Sequence, residues 1–326
     1  MAVAFASHSG LRRLQHLVHE TVSDATLVNI AAIFNKLSSP TLAVEVVAGM
    51  VEFNSFPLVL RLCTCPAPLA RNSAVQTLDN FASLGSRRVN GVPVADVLVG
   101  AGAMDVCVKC LMVDAASSPA TVTPTCLSQR VHAVQALGKL AEVSASAREL
   151  LIKQGRLESM LSLGFSGTPL LQLAVARTLY RLVGDASMHQ PVLQGISASL
   201  IPVLLVSDDH RIALSAARAL NLLTLNPGTQ DALETAGIAL PLLRLVGSNP
   251  AAYPSGAVPD DVLTASPGHI KHTDVLTVVL TAIEFMCGYV RGRCCCVAPP
   301  VCVCGAVAHA CVLCTSPPND VCMLPC

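Results

Sequence analysis

The sequence predicts an all-α solenoid, a stack of helical repeats packed side by side. The first observation is internal repetition. The segments AVQALGKLA (Ala133 to Ala141), VARTLYRLV (Val175 to Val183) and AARALNLLT (Ala216 to Thr224) superimpose without gaps. The second is the period: their leucines Leu137, Leu179 and Leu220 lie 42 and 41 residues apart, a spacing typical of stacked helical units. The third is composition. The chain is 52% apolar but only 3% aromatic, with no tryptophan, so its core must be built from Leu, Val, Ala and Ile. Small and straight aliphatic side chains suit close helix packing, whereas all-β folds lean on aromatic and β-branched residues.

Each of the three segments carries a second leucine three residues on, at Leu140, Leu182 and Leu223, which puts the pair on one helical face. Between them lie shorter segments that read as helix, glycine, helix. ARELLIKQGRLESMLSL (Ala147 to Leu163) and TQDALETAGIALPLLRL (Thr229 to Leu245) place Gly155 and Gly237 alike, where positive φ ends one helix before the next begins. The middle copy, MHQPVLQGISASLIPVLLV, has Gly195 slightly early. Pro202 and Pro241 are expected in the first turn of the second short helix, where a missing N–H is tolerated.

Weaker copies flank the clear ones. AVQTLDNFASLG (Ala74 to Gly85) precedes VADVLVGAGAMDVCVKCL (Val94 to Leu111), and VNIAAIFNKL (Val28 to Leu37) precedes LAVEVVAGMVEFNSFPLVLRL (Leu42 to Leu62). VLTVVLTAIEFM (Val275 to Met286) reads as one more long helix. Three interruptions are expected: a lengthened loop over Ser83 to Pro93, a small polar stretch over Val113 to Pro124, and a linker over 247–272. Repeat arrays tolerate these because each unit contacts only its neighbours.

Short helix, glycine, second helix, then a long third helix with a core of small residues and leucine is the pattern of the armadillo repeat family, which this sequence resembles. TQDALETAGIALPLLRLVGS and the preceding ALSAARALNLLT match it closely, and HEAT-like repeats fit the weaker copies too. The resemblance implies a right-handed superhelical solenoid of five to six repeats over residues 26–290, clearest over 128–248. Residues 1–25 are then an N-terminal cap or flexible start, and 291–326 a Cys-rich low-complexity tail without structure.

Lys plus Arg equals Asp plus Glu at 21 each, so the basic excess of a phosphate-driven nucleic-acid binder is missing. No apolar stretch reaches the roughly 18–20 residues of a membrane span. The nearest, Val275 to Val290, carries Glu284. MAVAFASHSGLRR has the faint look of a transit peptide but reads as an ordinary exposed start. No phosphate-binding glycine loop, GxSxG, HExxH or paired-carboxylate constellation occurs, and the nine histidines form no ligand pair with a third partner. Ser207 and Asp208 are placed to cap the helix beginning there, with His210 facing solvent beside them. An enzyme reading has no residue to stand on, and no cofactor is expected.

Nine of the fifteen cysteines fall after Gly292. Cys302, Cys304, Cys311 and Cys314, with His309 nearby, are the candidate zinc set. Cys311-x-x-Cys314 has ligand spacing, but Cys302-x-Cys304 is tight and the spacer is six residues. A disulfide knot is the second reading, although nothing else suggests secretion. Runs such as VCVCG and CVLC are also what a TG-rich noncoding stretch gives when translated, and the abrupt change of composition favours this third reading. Cys107-x-x-Cys110 sits in an apolar helical pattern and reads as buried core, which points to a reducing compartment.

In armadillo arrays the third helices line a concave groove. Nuclear-import adaptors of the family place tryptophan two residues before the core leucine and asparagine two after. Those positions here are Gln76 and Asn80, Gln135 and Lys139, Arg177 and Arg181, then Arg218 and Leu222. Only Asn80 matches, so the family's ladder for nuclear-localisation peptides is not expected. Lys139, Arg177, Arg181 and Arg218 instead make one basic face, which solvated surface charge would explain equally well. The resulting expectation is a monomeric, cytoplasmic, non-catalytic scaffold that binds an extended acidic segment of a protein or peptide partner. The nucleus or an organelle is the alternative compartment. The alternative functions are an RNA-associated repeat protein and the regulatory repeat region of a larger enzyme.

Overall fold

The computed structural model describes residues 23–39, 43–52, 55–112, 123–166, 168–194, 197–235, 238, 242 and 272–294. Six long helices carry the architecture: α1 (Asp24–Leu37), α4 (Pro68–Ala82), α7 (Pro124–Val143), α10 (Pro169–Leu182), α13 (His210–Leu225) and α15 (Thr273–Cys294). Each packs against the next in chain order. Shorter helices fill the intervals: α2 (Ala43–Glu52), α3 (Phe56–Leu62), α5 (Val94–Gly100), α6 (Ala103–Met112), α8 (Ala145–Ile152), α9 (Arg156–Ser162), α11 (His189–Gln194), α12 (Ser197–Leu205) and α14 (Gln230–Thr235).

The repeated leucines are where this stack meets itself. Leu78, Leu137, Leu179 and Leu220 are fully buried, as are Ala74, Ala133, Val175 and Ala216 one turn before them. A buried leucine contributes about 1.5–3 kcal/mol of transfer free energy, and the small residue beside it lets the next helix approach. The contact between α7 and α10 is tight. Gly138 faces Thr178, whose hydroxyl donates to the Val134 carbonyl at 3.2 Å across the interface.

Helix starts follow local chemistry. Proline opens α4, α7 and α10 at the position where the N–H has no partner to lose. Ser144 ends α7 in an extended conformation, and its hydroxyl accepts from the Ala147 N–H to cap α8. Gly155 has φ 64° and joins a 3₁₀ turn to α9, as its place between the short helices predicts. Gly195, Gly237 and Pro241 lie outside the described residues.

Three expectations change. Pro202 is the sixth residue of α12 rather than in its first turn, and the burial of Leu200, Ile201, Leu204 and Leu205 around it holds the helix. The expected loop over Ser83 to Pro93 closes into a hairpin, Arg88–Val89 paired with Val92–Pro93, whose turn puts Asn90 (φ 52°) and Gly91 (φ 81°) in the left-handed region. Asp209, not Asp208, is the N-cap of α13: its carboxylate accepts from the Arg211 N–H at 2.9 Å, and Ser207 accepts from the Asp209 N–H. Helix α15 runs to Cys294, four residues into the stretch expected to lack structure, while most of the expected N-terminal start, the stretch after Met112, most of the linker and the rest of the Cys-rich tail, with Cys302, Cys304, Cys311 and Cys314, lie outside the described residues. Among the described residues no helix is long and apolar enough to cross a membrane.

Candidate functional site

The positions two before and two after each core leucine share a face of the long helices, but their side chains divide into three groups. At the first end they bond one another. Asn35 Nδ2 on α1 donates to Gln76 Oε1 at 2.8 Å, and Asn80 Nδ2 donates to Ser38 Oγ at 2.9 Å and to Asn35 Oδ1 at 3.4 Å. Gln76 and Asn80 thus tie α4 to α1. Gln135 follows, half-buried on α7.

The second group is cationic and neutralised from within. Lys139 Nζ donates to Asp79 Oδ1 at 2.5 Å and to Ser83 Oγ at 2.8 Å. The Asp79 side chain is 5% exposed and also contacts His132 Nδ1 at 3.0 Å. A carboxylate this buried needs its partners, so Lys139 is committed to the α4–α7 interface, which removes it from an open basic face. Arg181 is partly committed: its Nε lies 3.2 Å from Glu142 Oε2, a pair with the glutamate half in solvent and therefore weak.

The third group is open. Arg177 on α10 and Arg218 on α13 occupy the same repeat position, both exposed, and neither forms an ion pair among the described residues. They line a cleft of about 350 Å³ together with Tyr180, Arg181, Glu142, His210, Arg211, Leu214 and Ser215. Arg211 is held by Asp209 through Nε to Oδ1 at 3.1 Å and Nη2 to Oδ2 at 2.7 Å. That hydrogen bond from Arg211 pulls the Asp209 carboxyl down to about 2. His210 is exposed, as expected, but its Nε2 meets Asp274 Oδ2 of α15 at 2.6 Å, which lowers the Asp274 pKa and ties α15 to α13.

Leu222, two after the last core leucine, is half-buried and adds no charge. Sequence reasoning missed Tyr180, Leu214, Ser215 and Arg211 as cleft residues. The signal was available: Tyr180 is three residues from Arg177, and Leu214 and Ser215 lie four and three before Arg218, the spacings that share a helical face.

Among the described residues no group of three or more His, Cys, Asp or Glu side chains converges to hold a metal ion. Cys63, Cys107 and Cys110 are buried where α3 and α6 meet the core. Burial raises all three thiols, Cys110 to about 11, so they are packing residues rather than nucleophiles.

No family model matches the sequence, and no curated protein matches it. The likeness is structural. A designed armadillo repeat protein superimposes with a TM-score of 0.61 at 16% identity, covering 85% of this chain and 99% of its own. Computationally designed armadillo repeat proteins for modular peptide recognition give 0.60 at 17% identity over 84% of this chain and 98% of theirs. Another designed armadillo repeat protein, in complex with the peptide (KR)4, gives 0.55 at 16% identity over 86% and 98%. The chain has the armadillo-type repeat fold, an all-α solenoid.

Proposed function

We propose that this chain is a non-catalytic scaffold that holds an extended acidic segment of a partner in its concave groove. The observation that carries the reading is the pair Arg177 and Arg218: exposed, in no ion pair among the described residues, at the same position of consecutive repeats and in one cleft, with Arg177 close enough to Asp209 to help lower its pKa. A ligand lying across stacked helices meets one such position per repeat. The guanidinium fork pairs bidentately with carboxylate, so acid is the complement. The complex of a designed neighbour with (KR)4 supports a peptide as the class of ligand. This groove has the opposite charge sense, because its basic residues are on the protein.

The reading rests on two of the four basic positions that the sequence offers. Lys139 serves the repeat interface and Arg181 shares its charge with Glu142. The test is affinity capture from lysate with the wild type and with R177E/R218E, followed by mass spectrometry. The reading expects the variant to lose acidic partners while melting with the wild type, because exposed substitutions shift stability by only about 0.5 kcal/mol. A variant that recovers every wild-type partner would overturn it.

A further inference from the structure

The cleft between α10 and α13 shows what one carboxylate can do there. Asp209 satisfies one edge of Arg211 with both its oxygens, and Glu142 takes Arg181. Arg177 also helps lower the Asp209 carboxyl but forms no ion pair with it among the described residues. Arg177 and Arg218 present two guanidinium groups on one open cleft of about 350 Å³. The helices bearing them pack directly, and packed helix axes lie about 8–10 Å apart.

Two forks on one cleft call for a ligand with more charge and more acceptors than a carboxylate carries. A phosphate monoester has three terminal oxygens and about two negative charges near neutral pH, enough to accept from both arginines at once. Tyr180, 39% exposed beside Arg177, adds a phenolic O–H that can donate to the third oxygen.

We propose that this cleft takes a phosphorylated side chain of the docked segment, held between Arg177 and Arg218. The proposal rests on the reading of the groove as a site for an acidic peptide, and it makes partner phosphorylation the change that tightens docking.

The experiment uses the full chain and three fluorescein-labelled pools of glutamate-rich peptides, identical but for a central phosphoserine, serine or glutamate, read by anisotropy. The phosphoserine pool is expected to bind at least about tenfold more tightly than either other pool, and phosphatase should erase the difference. R177K/R218K keeps the charges but loses the planar forks, and should bring the phosphoserine pool to within about threefold of serine. Equal binding of all three pools overturns the phosphate inference and leaves the acidic-peptide reading standing. No binding of any pool, or binding undiminished in R177E/R218E, overturns both. Displacement of the phosphoserine pool by an equal concentration of single-stranded RNA would assign the cleft to a nucleic-acid backbone and also overturn the proposal.

Discussion

Replacing Gly138 with alanine tests the packing of the two central repeats, because two effects of opposite sign meet there. In an isolated or exposed helix, Gly→Ala stabilises by about 0.8–1 kcal/mol. Here a Cβ would lie 2.6 Å from Thr178 Oγ1, 2.8 Å from its Cγ2 and 3.0 Å from its Cβ. Thr178 is fully buried and branched at Cβ, so it has little freedom to rotate away without surrendering its bond to the Val134 carbonyl. Overpacking costs about 1–3 kcal/mol, and a broken hydrogen bond adds about 1 kcal/mol. Less the propensity gain, G138A should destabilise by about 1–3 kcal/mol. Thr178→Ala removes the two nearest atoms, so G138A should cost at least about 1 kcal/mol less in that background. Urea denaturation followed by far-UV circular dichroism reads both numbers, provided the slope with denaturant is unchanged. If G138A is more stable than the wild type, helix propensity has won and the α7–α10 contact is not as close as described.

Three further outcomes are expected. Leu220→Ala should cost about 2–5 kcal/mol, appearing in hydrogen exchange as lost protection of α13 and α15 ahead of the other repeats; a change under about 0.5 kcal/mol would contradict the repeat register. Asp209→Ala should cost about 0.5–2 kcal/mol at neutral pH as a lost N-cap. The folded carboxyl titrates near 2, below its unfolded value, so its contribution is present above that unfolded value of about 3.9 and fades toward pH 2. Wild type and variant should therefore converge in acid, and a gap that stays constant from neutral pH to pH 2 would refute the assignment of the cap. In iodoacetamide labelling of the folded chain, Cys63, Cys107 and Cys110 should stay unmodified while half-buried Cys126 reacts; equal rates would refute their burial.

The repeat architecture was legible because it is written in local periodicity. Leu137, Leu179 and Leu220 needed only their spacing and their helical neighbours to be recognised as core, and all are fully buried. The groove was legible as positions but not as charges. Whether Lys139 is open depends on Asp79, one repeat back and 60 residues away, and Arg181 likewise depends on Glu142 on the preceding long helix. A repeat register aligns helices but does not say which side chain leans across to its neighbour. The hairpin is a different case. The Asn90–Gly91 dipeptide between valines is a strong local turn signal, set in a stretch that otherwise reads as a lengthened loop. The cap at Asp209 was displaced by one residue, a shift that sequence pattern cannot resolve because Ser207, Asp208 and Asp209 are all good capping types.

The central claim is that Arg177 and Arg218 choose the partner by charge. A reciprocal titration measures it, with the wild type and R177E/R218E each followed by anisotropy against a glutamate-rich peptide and against (KR)4. The account predicts that the wild type binds the acidic peptide and not the basic one, with affinity falling steeply with salt, and that the variant reverses the preference. Equal affinities for the acidic peptide before and after the substitution, or a wild type that prefers (KR)4, would contradict it.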